Sequence, residues 1–115
     1  MTYLPAIESH MEKNPLEKNF RKHVDAFLEA LPRSFWESIS QKSIRGTADK
    51  IGCINGTYCR LEIKRSRTAK KSALQNYLIS KARSAGGYAE FVYPENWESI
   101  KKDLMHMATG QSSQL

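Results

Sequence analysis

The run Asp49-Lys50-Ile51-Gly52-Cys53-Ile54-Asn55-Gly56-Thr57-Tyr58-Cys59-Arg60-Leu61-Glu62-Ile63-Lys64 decides how this chain folds. Two strand-compatible stretches flank Asn55-Gly56, the dipeptide best suited to the positive φ angles that a two-residue type I′ turn requires. With that loop the hairpin has one register: Ile54 faces Thr57, Cys53 faces Tyr58, and Asp49 faces Glu62. Side chains alternate across a strand, so Glu62 and Lys64 share a face with Asp49, while Ile54, Cys59, Leu61 and Ile63 share the other. One face is thus apolar and suited to a core, and the other gathers three ionisable groups. The same alternation puts Cys53 and Cys59 on opposite faces, which argues against a disulfide between them.

Upstream, Asn14-Pro15-Leu16-Glu17 is a helix start, with a capping Asn, Pro at the first helical position and Glu three residues after the cap. Phe20, Val24, Phe27, Leu28 and Leu31 follow at helical spacing, and Pro32 ends the helix. The stretch 33–45 is mixed: Phe35, Trp36 and Ile39 fit a helical turn, Lys42 to Arg45 fit entry into a strand, and the assignment stays open. Downstream, Ser72 and Gln75 form a capping box for a second helix, whose buried face is expected at Leu74, Tyr77, Leu78, Ala82 and Ala85. Gly86-Gly87 stops it. Tyr88 to Tyr93 reads as a strand closed by Pro94, and Trp97, Ile100, Leu104 and Met107 mark a terminal amphipathic helix. The core spans about 14–107, with 1–12 and 109–115 as loose ends. The order predicts a small α/β domain whose mixed sheet is flanked by helices.

At 115 residues the chain supports a single domain, and 40% hydrophobic residues suffice for one modest core. No apolar run approaches the roughly 18 to 20 residues of a membrane span, and no basic-then-apolar leader opens the sequence. A cytosolic protein with no membrane partner is expected. Two cysteines cannot form a disulfide framework or a zinc tetrahedron, so any metal must be held through oxygen. The 18 Lys and Arg exceed the 12 Asp and Glu, giving a net charge of +6. That excess points to a polyanionic partner, with nucleic acid ahead of a membrane surface.

The polar face of the hairpin carries the chemistry. Directly opposed Cβ atoms lie about 4.5 to 5.5 Å apart, where two carboxylates repel unless a cation neutralises them. Asp49 and Glu62 are hard oxygen donors suited to Mg²⁺ or Mn²⁺. A metal held there addresses all three demands of phosphodiester hydrolysis: deprotonating water, stabilising charge on phosphorus and assisting the leaving oxygen. Lys64 adds a fixed positive charge beside it, able to orient water or stabilise the phosphate. Lys64, Arg65, Arg67, Lys70 and Lys71 then lead toward the second helix, with Arg45 entering from the other side, and these read as phosphate contacts of a DNA-binding surface.

The run Gly46-Thr47-Ala48-Asp49, then Asn55-Gly56, Glu62-Ile63-Lys64, Leu74-Gln75 and Ala85-Gly86-Gly87 resembles the PD-(D/E)XK nuclease superfamily, and within it the small VRR-NUC branch. The likeness spans Glu17 to about Pro94. It implies a restriction-endonuclease-like core, αβββαβ with a C-terminal helix. It further implies that Asp49 and Glu62 bind the metal with the backbone carbonyl of Ile63, that Lys64 is the catalytic lysine, and that Gln75 is the helix glutamine near the substrate. Glu17 matches an acidic residue on the first helix that often completes such sites. Ala48 stands where the family usually has Pro, a residue that shapes the turn without touching metal. The function implied is that of a Mg²⁺- or Mn²⁺-dependent DNA endonuclease acting on branched DNA, such as flaps or four-way junctions, in phage or bacterial replication, recombination or repair, in a bacterial or phage-infected host cytosol. A domain this small offers little surface to grip a duplex, so a homodimer is expected.

Each residue also has a plainer reading. Glu62-Ile63-Lys64 alone is a common strand pattern, Gln75 serves the helix cap, Glu17 favours the helix dipole, and the basic run is a solvated loop. Trp97 and Tyr93 read as core or dimer contacts, with base stacking as a lesser alternative, and His23 as a surface or core-edge residue. The rival functions are a non-catalytic nucleic-acid-binding protein with structural carboxylates and, further off, a membrane-surface or acidic-protein binder.

Overall fold

The computed structural model describes residues 15–39 and 49–110, except the side chains of 15–17. Helix α1 (Pro15–Ala30) leads into strand β1 (Ser34–Ser38), then β2 (Lys50–Ile54), β3 (Thr57–Ile63), helix α2 (Ala73–Ser84) and strand β4 (Tyr88–Val92). A 3₁₀ turn, Pro94–Asn96, precedes helix α3 (Trp97–Thr109). The four strands form one sheet in sequence order, with β1-β2 and β2-β3 antiparallel and β3-β4 parallel. This is the predicted α/β class, a mixed sheet flanked by helices.

The hairpin takes the predicted register, Ile54 opposite Thr57 and Cys53 opposite Tyr58, and keeps it through Lys50 opposite Leu61. Its turn has φ of 49° at Asn55 and 91° at Gly56, the left-handed values for which this dipeptide is suited. The tip is tied down on two sides: Asn55 N donates to the Arg33 carbonyl (2.8 Å) and Asn55 Nδ2 to the Met107 carbonyl (3.3 Å). Cys53 is exposed and Cys59 buried, so the two cysteines lie on opposite faces as the alternation requires.

The core forms between the apolar face of the sheet and helices α1 and α3. Ile54, Cys59, Leu61 and Ile63 meet Phe20, Val24, Leu28 and Leu31 of α1 and Trp97, Ile100, Leu104 and Ala108 of α3. Each fully buried Leu, Ile or Val there contributes about 2 kcal/mol by leaving water. Trp97 is a core residue, edge-on to Phe20 and Phe27 at centroid distances of 6.0 and 5.4 Å. Met107 packs partly buried against this core, and His23 is exposed.

Within the open stretch 33–45, Ser34–Ser38 forms a strand, for a reason that lies in the partner. Trp36 pairs with Gly52, and its indole occupies space that a Cβ at Gly52 would enter at 2.6 Å. Only glycine leaves that slot. Residues 40–48, with Lys42 to Arg45, lie outside the described residues, as do Asn14 and the ends 1–12 and 111–115.

The buried face expected for α2 needs correction. Ile79 is its buried residue, whereas Leu74 and Tyr77 are 39% and 56% exposed and Ala85 is exposed too. Leu78 and Ala82 are half-buried. The helix is turned so that Gln75 and Ile79, one turn apart, look toward the sheet. Periodicity locates an apolar stripe but not the surface that covers it, and Gln75 is drawn inward by polar partners. The last strand ends at Val92, one residue before Tyr93, because Tyr93 caps the 3₁₀ turn through the Asn96 side chain (2.9 Å).

Candidate functional site

The site lies where the hairpin ladder runs out. Asp49 is the residue beyond the last β2-β3 pair, and its backbone carbonyl accepts from Ile39 N (3.0 Å). Its carboxylate is held from two directions. Ile63 N donates to Oδ2 (2.7 Å), so the last amide of β3 is satisfied by a side chain instead of a strand partner. Arg21 of α1 donates from Nη1 to Oδ1 (3.2 Å) and from Nη2 to the Ile63 carbonyl (3.4 Å). One guanidinium thus bridges the Asp49 carboxylate and the Ile63 carbonyl oxygen.

Glu62 is the one buried charged residue among the described ones, 1% exposed. Gln75 Nε2 donates to its Oε1 (3.3 Å). Its Oε2 accepts no hydrogen bond from any described residue, and Arg60 Nη2 stands 3.8 Å away. Burial, reinforced by the negative charge of Asp49, pushes the Glu62 carboxyl up to about 7, against the opposing pull of Arg60, Lys64 and Gln75. A carboxyl so placed gains from any further cation that reaches it.

Gln75 links helix, strand and site. Its Oε1 accepts from Ser72 N (3.1 Å), closing the capping box with Gln75 N donating to Ser72 Oγ (3.0 Å), and the same oxygen accepts from Lys64 Nζ (3.1 Å). The cap uses the carbonyl end of the amide and Glu62 the amino end, so both roles coexist. Lys64 N donates to the Val92 carbonyl (2.8 Å), which anchors its backbone to β4. The structure therefore brings together Asp49, Glu62, Ile63, Lys64 and Gln75 at one end of β3. The N-terminus of α2, with its partial positive charge, lies there as well.

The basic residues fare unequally. Arg65, Arg67 and Lys70 are exposed on the loop from Lys64 to α2. Arg67 N donates to Glu95 Oε1 (3.2 Å), which pins the loop's backbone. Lys71 is folded back: its Nζ donates to the Arg67 carbonyl (2.9 Å) and lies over the Phe91 and Tyr93 rings, 5.4 and 5.6 Å from their centroids. Arg45 lies outside the described residues. Glu17 lies on α1, one turn before Arg21, but its side chain is outside the described residues.

Two contributors escaped the sequence reading. Arg60 was available to it, since the alternation that groups Glu62 with Lys64 includes Arg60. Arg21 was not: a basic residue in the first turns of a helix carries no sign of what it will face. Asp49 and Glu62 fit a hard divalent cation in donor chemistry, and the buried Oε2 of Glu62, which accepts no hydrogen bond from a described residue and has the Arg60 guanidinium 3.8 Å away, is an oxygen of the required kind. Among the described residues no third His, Cys, Asp or Glu joins them. The Ile63 carbonyl, which accepts from Arg21 Nη2 at 3.4 Å, is a further oxygen at the same end of β3. Compared with protein-family models, with curated proteins and with solved structures, the chain matches none.

Proposed function

We propose that this protein is a Mg²⁺- or Mn²⁺-dependent DNA endonuclease of restriction-endonuclease-like architecture, selective for duplex or branched DNA such as flaps or four-way junctions. The observation that carries this reading is a buried Glu62 with one oxygen that accepts no hydrogen bond from a described residue, joined through the Gln75 amide to Lys64 and set beside Asp49 at the end of β3. The element order, helix, three antiparallel strands, helix, parallel strand, agrees with the αβββαβ core that the motif resemblance implies.

Asp49, Glu62 and the Ile63 carbonyl would hold the metal. When bound, it supplies Lewis-acid stabilisation of a phosphodiester and makes water acidic enough to attack near neutral pH. The chain's own residues do the rest. Lys64, its ammonium oriented by Gln75 Oε1, meets negative charge developing on the phosphate or orients the attacking water. Arg65, Arg67 and Lys70 hold the backbone of the DNA on the adjoining loop, an attachment that positions without reading sequence.

The test is cleavage of labelled single-stranded, duplex, flap and four-way-junction DNA with Mg²⁺, Mn²⁺ or EDTA, with wild type beside Glu62→Ala and Lys64→Ala. Metal-dependent cutting abolished in both variants supports the nuclease. A second reading, a non-catalytic nucleic-acid binder, draws on the arginines beside the carboxylates: Arg21 on Asp49 and Arg60 near Glu62. It predicts salt-sensitive DNA binding without cutting and no binding of Mn²⁺. The exposed Phe35, Tyr58 and Tyr77, 66%, 43% and 56% accessible, offer apolar surface for the homodimer that the domain's size suggests.

A further inference from the structure

The Arg21 guanidinium lies on two of the oxygens that a metal would need. It reaches Asp49 Oδ1 and the Ile63 carbonyl with separate nitrogens, while the other Asp49 oxygen is committed to the Ile63 amide. A surface ion pair would engage the carboxylate alone. Here the fork spans a carboxylate and a backbone carbonyl at the end of the strand that carries buried Glu62. Glu62 Oε2 meanwhile accepts no hydrogen bond from a described residue. The Arg21 side chain is 37% exposed and so in part open to solvent.

We propose that Arg21 is a resident counter-cation: its guanidinium and a divalent metal compete for Asp49 Oδ1 and the Ile63 carbonyl, so the ion enters only as the guanidinium swings out. This rests on the metal reading above. Without metal, Arg21 neutralises Asp49 and lowers the repulsion between it and Glu62. With metal, that work passes to the ion. Removing Arg21 should therefore tighten metal binding and weaken the metal-free fold, two effects of opposite direction that a merely structural ion pair would not produce together.

The experiment is calorimetric titration of Mn²⁺ into wild type, Arg21→Gln, Arg21→Lys and Asp49→Asn, with urea unfolding of each in EDTA and in Mn²⁺. Arg21→Gln should bind Mn²⁺ about fivefold more tightly than wild type, the size expected of a half-exposed charged competitor. Arg21→Lys keeps the charge but cannot span both oxygens, and should fall between the two. The urea midpoint of Arg21→Gln should drop in EDTA and recover in Mn²⁺; if that variant does not fold without metal, Arg21→Lys carries the comparison. Equal or weaker Mn²⁺ binding by the Arg21 variants, with binding lost in Asp49→Asn, overturns the competition and leaves the metal site standing. No Mn²⁺ binding by wild type or by any Arg21 variant overturns both.

Discussion

Glu62 is where the cost of the site is concentrated. An ordinary glutamate titrates near 4.5, whereas burial and Asp49 push this one up to about 7. Between those values the folded protein keeps a proton that the unfolded chain has released, so stability falls as pH rises through this window and levels off above it. The loss is up to about 3 kcal/mol for a shift of this size. Urea midpoints in EDTA should accordingly decline from pH 5 to pH 8 for wild type, and Glu62→Gln should flatten that decline; an unchanged slope in the variant would show that Glu62 is not its source. Sequence alternation alone set Glu62 on a face with Lys64 and Asp49. It could not reveal that this face would be closed over by α2, and closure is what turns an ordinary carboxylate into a perturbed one.

At the scale of elements, two local devices hold the site in place. The first is the Trp36-Gly52 slot that fastens β1 to β2. A Cβ at position 52 would come within 2.5 Å of the Phe35 carbonyl, so Gly52→Ala should cost about 2 kcal/mol of unfolding free energy, measured by denaturant titration. The second is the cap of α2. Gln75→Ala removes the reciprocal half of the capping box and the donor to Glu62 together, and should cost about 1 to 2 kcal/mol and, on the proposed function, lower cleavage. Gln75→Glu separates the two: it can still accept from Ser72 N but presents no amide to Glu62, and should retain more stability at low pH than at high. Asn55-Gly56 and Ser72-x-x-Gln75 were both legible because each acts within a few residues. The strand at Ser34–Ser38 was not, because its partner Gly52 lies beyond the intervening segment.

For the whole molecule, charge and exposed apolar surface make separate predictions. On the proposed function, DNA binding should weaken steeply with KCl, and replacing Arg65 or Lys70 by Ala should each reduce the slope of log affinity against log salt by about 1, read by fluorescence anisotropy. Lys71, folded over Phe91 and Tyr93, should contribute less to that slope than either. Light scattering at working concentrations, with and without DNA, should give the mass of a dimer, and Tyr77→Lys on the exposed side of α2 should shift it toward the monomer. None of the described helices is long and apolar enough to cross a membrane.

What the sequence by itself determined was local and periodic: the hairpin and its register, the α1 stripe, the helix cap, the two faces of β3 and so the grouping of Asp49, Glu62 and Lys64. These depend on turn geometry and side-chain alternation, which act between near neighbours. Tertiary structure decided the rotation of α2, the strand identity of Ser34–Ser38, the burial of Glu62 and the arrival of Arg21 at Asp49. Each of these is set by which surfaces meet when α1 and α2 settle on opposite faces of the sheet. A guanidinium 28 positions upstream of its carboxylate leaves no periodic signal, because its partner is chosen by packing.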